Sequence, residues 1–262
     1  MNVAPIAQEA PLNLNPRKDW GTAFRAMGKL LSDPNDTTQV FKIMRALNAG
    51  TAQKNYARLL TTAQGGRLAY ERLELMDRLM NREWLNQFAP GTVGGAYRAF
   101  LDKTGYSAQG LADIGNEVHG TPARIAHPYA WFGRRERDIH DIWHVLTGYQ
   151  ADDPLGELCL VAFTYAQTRG TGWGFIALMG ALKSFREKNG KYARIAVREG
   201  FRNGKAAAWL HGEDFEKLFA EPLEAARKRL NIPTPAAYLR AKEVYEFQVA
   251  ANDAAAAAIA AE

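Results

Sequence analysis

An all-α fold is predicted, and three observations predict it. No segment sustains the period-two alternation with β-branched residues that marks strands. Apolar residues recur instead at three- and four-residue spacing along most of the chain. The breaks between these stretches carry helix punctuation, with Asp or Pro before a run and Gly after it. With 47% apolar residues in 262, the chain can bury a substantial core and is not disordered by composition. One multi-helix domain without internal repeats is expected over residues 17–250.

The elements follow in order. Residues 1–16 hold Pro5, Pro11 and Pro16 and read as an extended arm. Asp36 is the expected N-cap of a helix carrying Val40, Ile43, Met44 and Leu47, stopped by Gly50. Leu68 to Met80 reads as one further helix, with Leu68, Leu73, Leu75, Met76 and Leu79 as its apolar positions. Pro90-Gly91 interrupts, and Tyr97, Phe100 and Leu101 resume the pattern until Gly105. Further helices are expected over about 108–119, 133–148, 154–168, 172–188, 191–203, 221–230 and 235–250. Asp153 should cap the helix that Pro154 starts, because proline suits the first helical position. Ala254 to Ala261, in the alanine-rich stretch 251–262, reads as a frayed tail.

Two segments stand apart. Gly172 to Leu182 is apolar all round for eleven residues, about half of what a bilayer span needs. It reads as a buried core helix, or else as a wall for an oily ligand or a face resting on a membrane. Lys183 to Lys205 follows at once, with eight basic residues against two acidic ones, net +6 beside +5 for the whole chain. Such a patch suits an anionic membrane surface, although a solvated helix face is the plain alternative. No nucleic-acid motif accompanies it, so nucleic acid is not an expected partner. The start, Met1 to Ala10, has neither the basic nor the apolar region of a secretory signal, and a cytoplasmic location is expected.

Cys159 is the one cysteine, so no disulfide can form within the chain and any metal must be held by His, Asp or Glu. Those residues concentrate in Arg137-Asp138-Ile139-His140-Asp141-Ile142-Trp143-His144. At about 100° per residue, His140, Asp141 and His144 fall within one quadrant of a helix face. Two imidazoles one turn apart can share a metal ion, and a carboxylate beside them can complete or orient the site. Glu157 enters the apolar run Leu158 to Phe163 on the next helix. Burying it unpaired costs several kcal/mol, so it needs a partner. A short turn between antiparallel helices would bring it opposite the histidines. The expected ligand set is His140, His144, Glu157 and Asp141, with one position left for water or substrate. Arg137 shares the same face and could orient Asp141, bind an anionic substrate group, or simply pair with Asp141 at i, i+4. His119, His127 and His211 lack a comparable carboxylate pattern and are assigned ordinary roles; Asp152 and Asp153 are assigned to the turn and cap.

These residues resemble the signature of the Coq-four family of ubiquinone (coenzyme Q) biosynthesis, His-Asp-x-x-His followed by Glu after eleven intervening residues. His140-Asp141-Ile142-Trp143-His144 matches, Val145-Leu146-Thr147-Gly148 continues the likeness, and Gly156-Glu157 closes it. Pro90-Gly91-Thr92-Val93-Gly94 with Tyr97 and Phe100 is similar to the family's upstream turn and helix. Pro222-Leu223, Arg227 and Leu230-Asn231-Ile232 are similar to its C-terminal helix. Here twelve residues separate His144 from Glu157, the extra one falling in the Gln150–Asp153 turn, where a loop can absorb it.

The resemblance implies an all-helical, often dimeric, peripheral membrane protein that binds zinc and has an apolar cavity for a lipid tail. It implies removal of the C1 carboxylate from a polyprenylated 4-hydroxybenzoate intermediate, with or without hydroxylation, on the inner face of the cell membrane beside other coenzyme Q biosynthesis enzymes. In that reading His140, His144 and Glu157 are ligands, Asp141 a fourth ligand or an orienting group, and Arg137 the carboxylate clamp. The non-enzymatic alternative is a lipid-binding scaffold that organises those enzymes. A His-Asp phosphohydrolase would recruit His119 or His127 and Asp214 but leaves His144 and Glu157 without a role. A zinc peptidase would carry Glu where this helix has Asp141.

Overall fold

The computed structural model describes residues 17–107, 109–110, 112–114 and 127–260, with side chains through residue 249. The N-terminal arm, most of the helix expected over 108–119, and His119 lie outside the described residues. The described residues form helices and turns without a strand; Thr92 and Pro222 make an isolated antiparallel bridge. The fold is all-α.

Helices α1 (Trp20–Ser32), α2 (Thr37–Leu47), α3 (Thr51–Leu59), α4 (Ala63–Glu71), α5 (Leu75–Leu79), α6 (Arg82–Asn86) and α7 (Val93–Thr104) form the N-terminal half. Then come α8 (Pro128–Asp138), α9 (His140–Thr147), α10 (Pro154–Thr168), α11 (Thr171–Lys183) and α12 (Gly190–Ala206). The short α13 (Phe215–Leu218) and α14 (Leu223–Arg229) lead into α15 (Ala236–Ala260), which runs on through the alanine-rich stretch. Side-chain caps start many of them: the oxygens of Asp19, Thr62, Asn81, Thr92 and Asp153 each accept a backbone N–H of the first turn.

Three boundaries depart from the periodic reading. Leu68 to Met80 is not one helix. Arg72 turns to φ 45° and α5 starts only at Leu75. The cause is tertiary: the Trp131 indole donates to the Leu73 carbonyl (3.1 Å) and Arg134 pairs with Glu74 (2.6 Å), so α8 holds the linker open. The stretch expected over 133–148 begins earlier, at Pro128, with the His127 ring capping Tyr129 N–H. It is interrupted at Ile139, but the bonds Ile139 N–H to Arg135 O and Trp143 N–H to Ile139 O cross the junction, so side-chain faces carry over from α8 to α9. Finally, α11 ends at Lys183 in a tight 3₁₀ turn over Ser184–Arg186.

Helix α10 is the centre of the core. Cys159, Leu160 and Phe163 are fully buried, and α9, α11 and α12 pack around them. Burial pushes the Cys159 thiol well above its usual pKa, which leaves an inert packing residue. A satellite cluster of Leu59, Leu68, Trp131 and Phe132 joins α3, α4 and α8.

Candidate metal centre

The centre is built across the α9–α10 turn. Gly148, at φ 78°, ends α9 in the left-handed conformation that favours glycine. Arg227 of α14 donates from Nε to the Leu146 carbonyl (2.9 Å) and from Nη2 to the Val145 carbonyl (3.0 Å), holding the carbonyl end of α9. Asp153 caps α10 as expected, and its other oxygen accepts from the Tyr238 hydroxyl (2.7 Å). Gly156 lets the turn fold back tightly, since a Cβ there would lie 2.1 Å from the Gln150 carbonyl oxygen. The turn absorbs the twelve-residue spacing and delivers Glu157 to the histidines.

His144 Nε2 lies 3.2 Å from Glu157 Oε1, and His140 Nε2 lies 3.9 Å from Glu157 Oε2. One donor atom from each of the three residues falls within 4.8 Å of the others. The opposite ring nitrogens decide the protonation. His144 Nδ1 sits 2.8 Å from the Tyr149 carbonyl, which only accepts, so Nδ1 carries the proton. His140 Nδ1 meets Asp141 Oδ1 at 3.3 Å in the same sense. Both Nε2 atoms therefore present lone pairs toward a carboxylate, an arrangement that asks for a cation between them. His144 Nε2 is buried and has no hydrogen-bond partner of its own. Two imidazoles and a carboxylate are donors that zinc accepts, and the orphaned nitrogen fits such an ion.

The electrostatics agree. Burial disfavours charge on His140, yet the Asp141 hydrogen bond and the nearby Glu157 and Asp141 charges outweigh it and hold its pKa above the ordinary value. Burial would raise the Glu157 pKa, but the attraction of the neighbouring His144 and His140 rings outweighs it and brings it below the usual carboxylate value.

Asp141 does not join the donor set. It is 4% exposed and turned to His140 Nδ1, the orienting place rather than a ligand position. Arg137 does not pair with Asp141 either. Its Nε and Nη2 both donate to Asp138 Oδ1, at 2.9 and 2.7 Å, because the adjacent buried carboxylate is nearer than one across the Ile139 junction. Burial pushes the Asp138 carboxyl above the usual range although Arg137 opposes it. His127 is a helix cap, and Asp214 is held by Arg67 and Lys217, so among the described residues these two do not form the phosphohydrolase arrangement.

Arg137, His140, Asp141, Trp143 and Glu157 all line one cleft of about 1080 Å³. Its walls also include Met27, Leu30, Val40, Met44, Leu158 and Val161. Phe100 of α7 stacks on the His144 ring at 6.1 Å. The structure adds one pair: His211, 3% exposed and without a carboxylate pattern near it in the chain, has Nε2 3.1 Å from Glu136 Oε1. The two are far apart in the chain, so no local spacing could announce them.

Comparison with known proteins points one way. Residues 9–236 match the family model described as "Coenzyme Q (ubiquinone) biosynthesis protein Coq4". A Podospora anserina protein named "Ubiquinone biosynthesis protein COQ4, mitochondrial" is 31% identical over 183 residues, covering 68% of this chain and 56% of that protein. A protein of the same name from Ajellomyces dermatitidis is 25% identical, covering 92% of this chain and 76% of that one. The chain thus spans only about half of the Podospora relative. A crystal structure from Nostoc punctiforme, of a protein whose name assigns it provisionally to ubiquinone biosynthesis, superposes with a TM-score of 0.61 at 21% identity. It covers 83% of this chain and 100% of that one, and supports the fold. Among the described residues, no helix is long and apolar enough to cross a membrane.

Proposed function

Because the chain belongs to the Coq4 family of coenzyme Q (ubiquinone) biosynthesis proteins, we propose that it is a lyase for a polyprenylated 4-hydroxybenzoate intermediate. It removes the ring C1 carboxylate, with or without hydroxylation, using zinc held by His140, His144 and Glu157. The observation that carries this reading is the convergence of two imidazole nitrogens and one carboxylate, of which His140 and Glu157 line a large cleft and His144 lies buried behind them. Three protein donors leave coordination positions open, which suits catalysis better than the closed set of a structural ion or of a scaffold.

Zinc bound there would supply Lewis-acid polarisation of a carboxylate or phenolate. The chain does the rest. Asp141 holds the His140 tautomer, and the Tyr149 carbonyl holds that of His144. Arg137, tethered by Asp138 and open to the cleft, can present its remaining N–H groups to the substrate carboxylate. Met27, Leu30, Val40, Met44 and Leu158 are suitable company for a prenyl tail. Exposed Leu178, Leu182 and Phe185, beside Lys183, Arg186 and Lys188, suit peripheral contact with an anionic membrane. The names of the relatives, which are mitochondrial, do not support the expected cytoplasmic place at the cell membrane. A homodimer working beside other coenzyme Q biosynthesis enzymes completes the proposal.

The test is incubation of purified protein with a prenylated 4-hydroxybenzoate, with and without chelator, and detection of carbon dioxide. Chelator-sensitive release is expected from the parent protein and not from His144→Ala. Full zinc content and activity in His144→Ala would overturn the ligand assignment; no release from the metal-loaded parent would leave the scaffold reading.

A further inference from the structure

We propose that Glu136, His211 and Trp143 form a second polar subsite in the same cleft, one that takes the phenolic hydroxyl of the aromatic ligand and accepts its proton. The inference rests on the aromatic-ligand reading above and deepens it.

Glu136 precedes His140 by four residues, about 6 Å along the axis, and the hydrogen bonds through Ile139 keep both on one stripe. Glu136, His211 and Trp143 all line the cleft with the metal-centre residues. His211 Nε2 meets Glu136 Oε1 at 3.1 Å, so in the neutral ring the proton sits on Nε2 and Nδ1 is an acceptor. That Nδ1 is buried and has no partner. The Trp143 ring lies edge-on to His211 at 4.9 Å, is 2% exposed, and its Nε1–H is likewise buried without a partner.

An indole N–H can only donate and a neutral Nδ1 can only accept. A ligand group that satisfies both must accept one hydrogen bond and donate another, as a hydroxyl does. Leaving two such atoms buried and unmet is costly, and a phenol would relieve both. In the transfer, the phenolic O–H bond breaks and a His211 Nδ1–H bond forms. The oxygen keeps the electron pair and the Trp143 N–H, while the imidazolium charge faces the Glu136 carboxylate. The other charged groups around the ring are already engaged. Arg58 stacks over Trp209, itself against His211, and Arg135 donates to the Glu213 carbonyl and pairs with Glu216. A phenolate pushes electrons toward the para carbon, where the carboxylate of a 4-hydroxybenzoate sits. One helical turn of separation places the two ring substituents at two different stations on one wall.

The probes are 3-geranyl-4-hydroxybenzoate and its 4-methyl ether, with the zinc-loaded full chain. Equilibrium dialysis gives the affinities, and ultraviolet difference spectra report phenolate. The parent should prefer the phenol by at least about tenfold and show the phenolate band at a pH where the free probe stays neutral. His211→Gln and Glu136→Gln should lose the band and bring the affinity ratio toward one, with the ether bound as before and zinc content unchanged. Trp143→Phe, which removes the N–H donor together with part of the indole ring, should weaken binding of the phenol more than that of the ether if the histidine variants fail to fold. Equal binding of the two probes by the parent, no binding of either, or a phenolate band that survives in His211→Gln would overturn the subsite. Carbon dioxide release without any phenol preference sinks this proposal alone. A phenol preference without release sinks the decarboxylase reading alone.

Discussion

At the scale of single residues, the centre works by controlling which imidazole nitrogen is bare. In the proposed zinc site Asp141 would act through His140 without touching the ion, so Asp141→Ala should lower zinc affinity about 10- to 100-fold with all three ligands present, as measured by competitive titration with a chromogenic chelator. Protonation gives a second expectation. The His140 pKa is raised in the folded state, so its contribution to the metal-free protein is present at low pH and is lost as pH rises through that raised value. The Glu157 pKa is lowered, so its contribution is present above its ordinary value and is lost as pH falls through the lowered one. The two overlap in the weakly acidic range. The melting temperature of the metal-free parent, minus that of Glu157→Gln, should peak there and shrink on both sides. Zinc affinity should instead fall steadily on acidification, because the ion needs unprotonated donors.

At the scale of elements, α9 is a short helix whose geometry is imposed from outside. Arg227 reaches its last carbonyls from α14, and charged hydrogen bonds of this kind contribute about 1.5–3 kcal/mol. Arg227→Met should therefore lower the melting temperature and weaken zinc binding, although it lies outside the donor set. Recovery of full zinc affinity at low temperature in that variant would show that α9 keeps its shape unaided. Packing of α10 sets the opposite wall, and Phe163→Ala should cost about 3–5 kcal/mol in denaturant unfolding. The same scale explains which helices could be read from the chain. Asp36, Gly105 and Asp153–Pro154 mark ends by local chemistry, and the structure places ends there. The break between α4 and α5 depends on Trp131 and Arg134, some sixty positions later, and no period within Leu68 to Met80 reports it.

At the scale of the whole molecule, charge and exposure coincide. Lys183, Arg186, Lys188, Lys191, Arg198, Arg202 and Lys205 are all exposed, and Leu178, Leu182 and Phe185 stand beside the first of them. The segment Gly172 to Leu182 is both things at once: Phe175, Ile176 and Ala177 face the core, while Leu178 and Leu182 face outward. Binding to vesicles with anionic lipid is expected to exceed binding to neutral vesicles and to weaken as salt rises toward 1 M. Reversing Lys188 and Lys191 to Glu should reduce it several-fold in a sedimentation assay. Undiminished binding in that double variant would remove the basic segment from the membrane reading.

The histidine pair and Glu157 were legible in the chain because a helix repeats every 3.6 residues and a short turn leaves adjacent helices few ways to meet. Local rules of that kind also determined the all-α class and most helix ends. What only the tertiary structure decided is which partners side chains take: Arg137 its neighbour Asp138 instead of Asp141, and, at long range, Glu136 with His211 and Arg227 with the end of α9. Side chains choose partners by distance in space. For residues dozens of positions apart, that distance is set by the packing of every helix between them.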